Sequence, residues 1–141
     1  LRSGFVIGDS KIIECYKRLR SYSAPTIPIP LQLASSKLWD DEKHVEVNRI
    51  KYKKKIQLAD KIFSKYKYYE SPEAGFFLWL KVYNAEEFVK KVFYNYSIKL
   101  MPGKYLAAGK KKNPGINYVR IALVHSYEKN KKALINIAKL I

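Results

Sequence analysis

Tyr118-Val119-Arg120-Ile121-Ala122-Leu123-Val124 is an apolar, β-rich run with one charge inside it. Such a run reads as a mostly buried strand. A guanidinium in that setting needs an anion, because burying an unpaired charge costs several kcal/mol or more. The planar fork of arginine suits a carboxylate, held through two parallel hydrogen bonds. Three arrangements satisfy it: a bound substrate, an internal Asp or Glu, or a strand edge that lets Arg120 reach water.

Working outward from this strand, Ser126 is placed to cap a last helix with an apolar face of Ala133, Leu134, Ile137, Ala138, Leu140 and Ile141. Before the strand, Lys110 to Gly115 reads as a loop. Ile98 to Met101 reads as a strand ending in a Pro102-Gly103 turn. Asn84, with Glu87 three residues on, starts a helix from Ala85 to about Tyr96. Phe76 to Val82 is a strand, entered through the turn Ser71-Pro72-Glu73-Ala74-Gly75. From Asp41 to about Tyr68 there is neither Gly nor Pro, which predicts a helix about 40 Å long. Its apolar spacing is too ragged for a coiled coil, so it reads as a bridge between two packed bodies. Its Lys51–Lys55 cluster reads as a solvated face.

Upstream, Gly4 to Gly8 reads as a short strand. Asp9 is placed to cap a helix over Ser10 to Tyr22, with Ile12, Ile13, Tyr16 and Leu19 at helical spacing. Pro25, Pro28 and Pro30 make an extended segment, and a further helix runs from Pro30 to about Trp39, where Asp40-Asp41-Glu42 marks a break and restart. The opening directly into a strand, with Met101 the only methionine, reads as the C-terminal piece of a longer polypeptide. Its first strand is expected to expose unpaired edges, giving poor solubility in isolation. The element order after the long helix, β-α-β-β-α, defines a small helix-covered sheet in an α/β or α+β unit.

Composition narrows the function. The 141 residues with 48% hydrophobic content can bury a core. A lone cysteine, Cys15, forms no intramolecular disulfide and no cysteine-based zinc site; the cytoplasm is the expected compartment. The longest uncharged stretch, Ser21 to Ser36, is broken by prolines and too short to span a bilayer. A net charge of +16 invites a nucleic-acid reading. Yet only five of the 28 basic residues are arginines, and the lysines are scattered along the chain. Weak, salt-sensitive binding is the most this pattern supports.

Four landmarks stand in order: Leu1-Arg2-Ser3-Gly4, Ser71-Pro72-Glu73-Ala74-Gly75-Phe76-Phe77-Leu78-Trp79, Met101-Pro102-Gly103 and Tyr118-Val119-Arg120-Ile121-Ala122. With the long helix between the first two, the chain resembles the C-terminal part of a class I/II pyridoxal-phosphate-dependent aminotransferase of fold type I. The resemblance covers essentially all of it. It implies three parts: residues 1–40 as the tail of the large cofactor-binding domain, 41–68 as the bridging helix, and 69–141 as the small C-terminal domain. Arg2 then matches the arginine that grips the phosphate of pyridoxal 5'-phosphate, and Arg120 the arginine that takes the substrate α-carboxylate. Gly75 and Gly103 fall in turns near the substrate cleft, or are ordinary turn glycines. His44 and His125 match no catalytic position, and no metal ligand is implied.

The resemblance assigns no catalytic residue within this chain. The Schiff-base lysine, the aspartate at the pyridine nitrogen and the aromatic over the ring are expected upstream of Leu1, so the chain alone is expected not to transaminate. Expected partners are an amino acid, a 2-oxo acid and a second copy of the full-length chain. Leu1 to Asp9 and Arg20-Ser21-Tyr22 look closest to the succinyldiaminopimelate transaminase branch. Ser21 to Pro30 lacks the second arginine of some aspartate-type members, although Arg20 adjoins it. A carbon–sulfur lyase of the same fold and a basic nucleic-acid-binding module are the alternatives.

Overall fold

The computed structural model describes residues 2–23, 26–107 and 113–141. The chain divides into two compact units, residues 1–46 and 47–141.

In the first unit, α1 (Ser10–Ser23) begins where Asp9 Oδ1 accepts hydrogen bonds from the backbone N–H groups of Lys11 and Ile12, at 3.0 and 3.3 Å. The cap is the one the sequence predicts. No residue of α1 is buried, and Ile12, Tyr16 and Leu19 stay exposed. α2 (Ile29–Trp39) starts after Pro28, with Pro30 in its first turn, where a missing N–H costs nothing. The expected strand over Gly4 to Gly8 does not form: the described residues ahead of Asp9 adopt no regular element, and Phe5, Val6 and Ile7 are exposed. A strand exists only through a ladder partner, and none faces this segment among the described residues. Phe5 instead meets Trp39 edge to face, centroids 5.6 Å apart.

The helical restart at Asp40–Glu42 is as expected. Asp41 Oδ1 accepts from the Lys43 N–H at 3.0 Å, and α3 runs over Glu42–Phe63. It ends about one turn earlier than the sequence predicts, and the boundary between the two compact units falls within its first turns. Ser64 ends it, its Oγ donating back to the Lys61 carbonyl at 3.1 Å, and Tyr66 N–H bonds the Phe63 carbonyl.

The second unit is built on a three-stranded antiparallel sheet of β1 (Phe77–Lys81), β2 (Met101–Pro102) and β3 (Tyr118–Ala122), in the order β1-β3-β2. With α4 (Ala85–Tyr96) and α5 (Tyr127–Ala138), the order is the expected β-α-β-β-α. Asn84 accepts from the Glu87 N–H and Ser126 from the Lys129 N–H, so both helix starts are those read from the sequence. The predicted strand over Ile98 to Met101 shrinks to Met101–Pro102. Proline cannot donate to a ladder, and Gly103–Leu106 turns at once into a 3₁₀ turn. Of the predicted Lys110–Gly115 loop, Lys110, Lys111 and Lys112 lie outside the described residues.

Alternation sorts the sheet into two faces. Leu78, Leu80, Val119 and Ile121 point into a core shared with Leu58, Ala59 and Phe63 of α3, Val92 of α4, and Leu134 and Ile137 of α5. The opposite face carries Phe77, Trp79, Tyr118 and Arg120, none of them fully buried.

Candidate functional site

Register fixes the surroundings of Arg120. It occupies the middle of the central strand, opposed by Trp79 on one side and Met101 on the other. The strand-edge arrangement is therefore excluded, and Arg120 is half-buried. Among the described residues no carboxylate comes within ion-pair distance of it; every Asp and Glu of the chain is described. These 141 residues therefore supply no internal acidic partner for it. What the guanidinium does meet is an aromatic ring: Cζ lies 4.4 Å from the centroid of Phe77. This cation–π contact sets the charged end of Arg120 against the ring.

Beside Arg120 on the same face, Trp79 and Tyr118 meet nearly perpendicularly at 6.4 Å. They form one wall of an open cavity of about 400 Å³, completed by Leu106, Pro114 and the glycines at 103 and 115. Gly103 is more than the simple turn residue its Pro-Gly setting suggests. It is buried, and a Cβ there would sit 2.7 Å from the Gly115 carbonyl oxygen and 2.9 Å from both the Trp79 ring and the Tyr118 carbonyl oxygen. The two backbones touch because neither residue has a side chain. Asn113 supports the loop, accepting from the Gly115 N–H at 2.9 Å and donating to the Lys104 carbonyl at 2.8 Å. Gly75, by contrast, sits at φ +87° in open space, an exposed turn position.

Glu86 is engaged elsewhere. Lys104 pairs with it at 2.8 Å, and the Tyr105 hydroxyl donates a hydrogen bond to it. Lys104 and then Tyr105 hold the Glu86 carboxyl below its usual range, while Glu86 raises the pKa of both partners.

The remaining sequence candidates divide between the two compact units. Arg2 belongs to the first compact unit, exposed, at a left-handed φ of 55°. His44 pairs with Asp41 at 3.0 Å on the protein surface, and His125 is exposed. The Lys51–Lys55 cluster is solvated except at Lys55, whose Nζ donates to the Leu123 carbonyl at 2.8 Å and lies 4.8 Å from the Tyr52 ring centroid. Burial first, and then Lys51, lower its pKa. Among the described residues no cluster of three His, Cys, Asp or Glu could hold a metal ion, and no helix is long and apolar enough to cross a membrane. Phe77 and Trp79 gained no role from the sequence, because their nearness to Arg120 depends on cross-strand register; the parity of β1 was the only available signal.

The sequence profile of the aminotransferase class I and II family matches residues 1–137, and the chain belongs to that family. It is similar to an aminotransferase from Neisseria meningitidis, at 37% identity and a TM-score of 0.84, over 99% of this chain and 36% of that one. It is also similar to the aminotransferase AspB from Helicobacter pylori, at 36% identity and a TM-score of 0.77, over 94% of this chain and 34% of that one. An aminotransferase from Staphylococcus aureus shares the fold at a TM-score of 0.80, with 22% identity. The chain thus spans about a third of the length of these structures. No curated protein sequence matches it.

Proposed function

We propose that this chain is the C-terminal part of a pyridoxal-phosphate-dependent aminotransferase that moves an amino group between an amino acid and a 2-oxo acid, with Arg120 receiving the α-carboxylate. One observation carries this reading: a half-buried guanidinium in a central strand, with no acidic partner among the described residues. An anion from solution supplies the missing countercharge. A carboxylate fits the fork with two hydrogen bonds and leaves the substrate Cα at a defined position and orientation.

Toward the cofactor, this chain offers Arg2. Its guanidinium is exposed and has no ion-pair partner among the described residues, a donor set that fits a phosphate. When bound, pyridoxal phosphate supplies the electron sink that lets a Cα–H bond ionise. The lysine and ring-nitrogen partner that this chemistry needs are assigned upstream of Leu1, so the 141 residues bind and orient but do not turn over. The full protein is read as a cytoplasmic homodimer with 1–40 as large-domain tail, 41–68 as bridge and 69–141 as small domain. Within the family, Leu1–Asp9 and Arg20–Tyr22 favour the succinyldiaminopimelate branch.

The test is Arg120→Lys in the full-length enzyme. Lysine keeps the charge and loses the fork, so kcat/KM for amino-acid donors should fall roughly 10- to 100-fold, the equivalent of one charge-assisted hydrogen-bonded pair. Unchanged kcat/KM would remove Arg120 from the site.

A further inference from the structure

The Arg120 guanidinium is held by a ring where an acid would be expected. At 4.4 Å its contact with Phe77 is shorter than the four lysine–tyrosine contacts described, which span 4.8 to 5.9 Å. Phe77 is not the residue opposite Arg120. It opposes Ala122, and so lies on the diagonal of the β1–β3 pair, a spacing that long side chains bridge.

The ring is itself secured. Phe77 packs on Phe76 at 4.3 Å, and Phe76 on Tyr52 of α3 at 5.6 Å. The Phe76 carbonyl accepts from the Leu123 N–H at 2.8 Å, and the Leu123 carbonyl accepts from Lys55 of α3, also at 2.8 Å. A chain of aromatic contacts thus runs from the guanidinium to the long helix, closed by two hydrogen bonds at the end of β3.

We propose that Phe77 is the positioning residue for the carboxylate fork, an inference resting on the reading of Arg120 as the carboxylate site. A free arginine samples many rotamers, and one geometry must be selected each time a planar anion binds. The Phe77 ring narrows that choice in advance by holding the charged end of Arg120 over itself. It also shields the side of the guanidinium that it covers from water. Phe77 touches neither substrate nor cofactor in this scheme and acts only through Arg120.

The experiment uses the full-length holoenzyme with Phe77→Leu, which keeps an apolar side chain and removes the ring, and Phe77→Tyr, which keeps the ring. Phe77→Met serves in place of Phe77→Leu if that variant does not fold, as judged by its thermal melt. The dissociation constant of 2-oxoglutarate, used as the probe carboxylate, is measured by calorimetry beside KM and kcat for the amino-acid donor. Loss of the ring should raise the dissociation constant and KM about 3- to 10-fold, with kcat within about twofold and Phe77→Tyr close to the parent. In an Arg120→Lys background the same substitution should have no further effect, since the two residues act as one unit. Unchanged affinity after ring removal, or an equal loss in the Arg120→Lys background, overturns the positioning role. If Arg120→Lys alone leaves 2-oxoglutarate binding untouched, the reading of the site beneath it fails, a separate and recognisable outcome.

Discussion

Adding one methyl group at Gly103 tests how the second compact unit is closed. In Gly103→Ala the new Cβ would lie 2.7 Å from the Gly115 carbonyl oxygen, whereas ordinary contact begins near 3.4 Å. The oxygen must retreat by roughly 0.7 Å or the 3₁₀ turn must lift off the sheet. The Tyr118 carbonyl oxygen and the Trp79 ring, both at 2.9 Å, block the alternative directions. The same Gly115 carbonyl accepts the Tyr118 N–H at 3.0 Å at the entry to β3, so a retreat of that size disturbs this hydrogen bond as well. Overpacking costs about 1–3 kcal/mol and the disturbed hydrogen bond about 1 kcal/mol. A total of about 2–4 kcal/mol in a body of this size lowers its melting temperature by on the order of 10–20 °C. Near-ultraviolet circular dichroism follows the transition, because Trp79 lines the affected cavity. Gly115→Ala closes the same gap from the other side, against the Gly103 carbonyl, so the double variant should cost clearly less than the two single costs combined. Gly75→Ala is the control: its added methyl meets open space and pays only for φ +87°, about 1 kcal/mol. If Gly103→Ala melts within 2 °C of the parent (about the scatter of such a scan), or is milder than Gly75→Ala, the close backbone approach is wrong.

Buried Asn130 donates to the carbonyls of His125 and Leu123, at 2.9 and 3.2 Å. Asn130→Asp removes the donor and sets an acceptor against both oxygens, so the urea midpoint should fall by the equivalent of about 2–3 kcal/mol; a midpoint equal to the parent would refute the assignment. Lys55 shares the Leu123 carbonyl with Asn130. Lys55→Met combined with Asn130→Ala should therefore cost more than the separate losses, and simple additivity would show that the shared acceptor does not matter. Tyr69 donates to Asp60 Oδ1 at 2.7 Å, and burial, followed by that carboxylate, pushes its pKa above the ordinary 10.0. The folded state thus favours the neutral phenol. This contribution is fully present below pH 10.0 and is lost as pH rises from there through the folded-state value. Tyr69→Phe should be less stable at neutral pH by about 1–2 kcal/mol, and its stability should fall less steeply above pH 10; parallel alkaline profiles would argue against the shifted phenol.

Local chemistry was legible in the sequence. Asp9, Asn84 and Ser126 start their helices as read, because a cap is decided by a side chain and the backbone two or three residues on. The order β-α-β-β-α followed from apolar patterning and turn residues, which also depend only on neighbours in the chain. Arg120 stood out for the same reason, as one charge in an apolar run. Tertiary structure decided the rest. Whether Gly4 to Gly8 forms a strand depends on a partner, and the described residues provide none. That Arg120 lies in the central strand, that Phe77 reaches it from the diagonal, that Gly103 rests against Gly115 and that Lys55 leaves the solvated helix face to bond Leu123 are all contacts between distant parts of the chain. Register and close approach are set by the packing of the whole unit, and a one-residue slip would reverse every face. The sequence therefore supplied the charge and the fork, while only the fold determined what surrounds them.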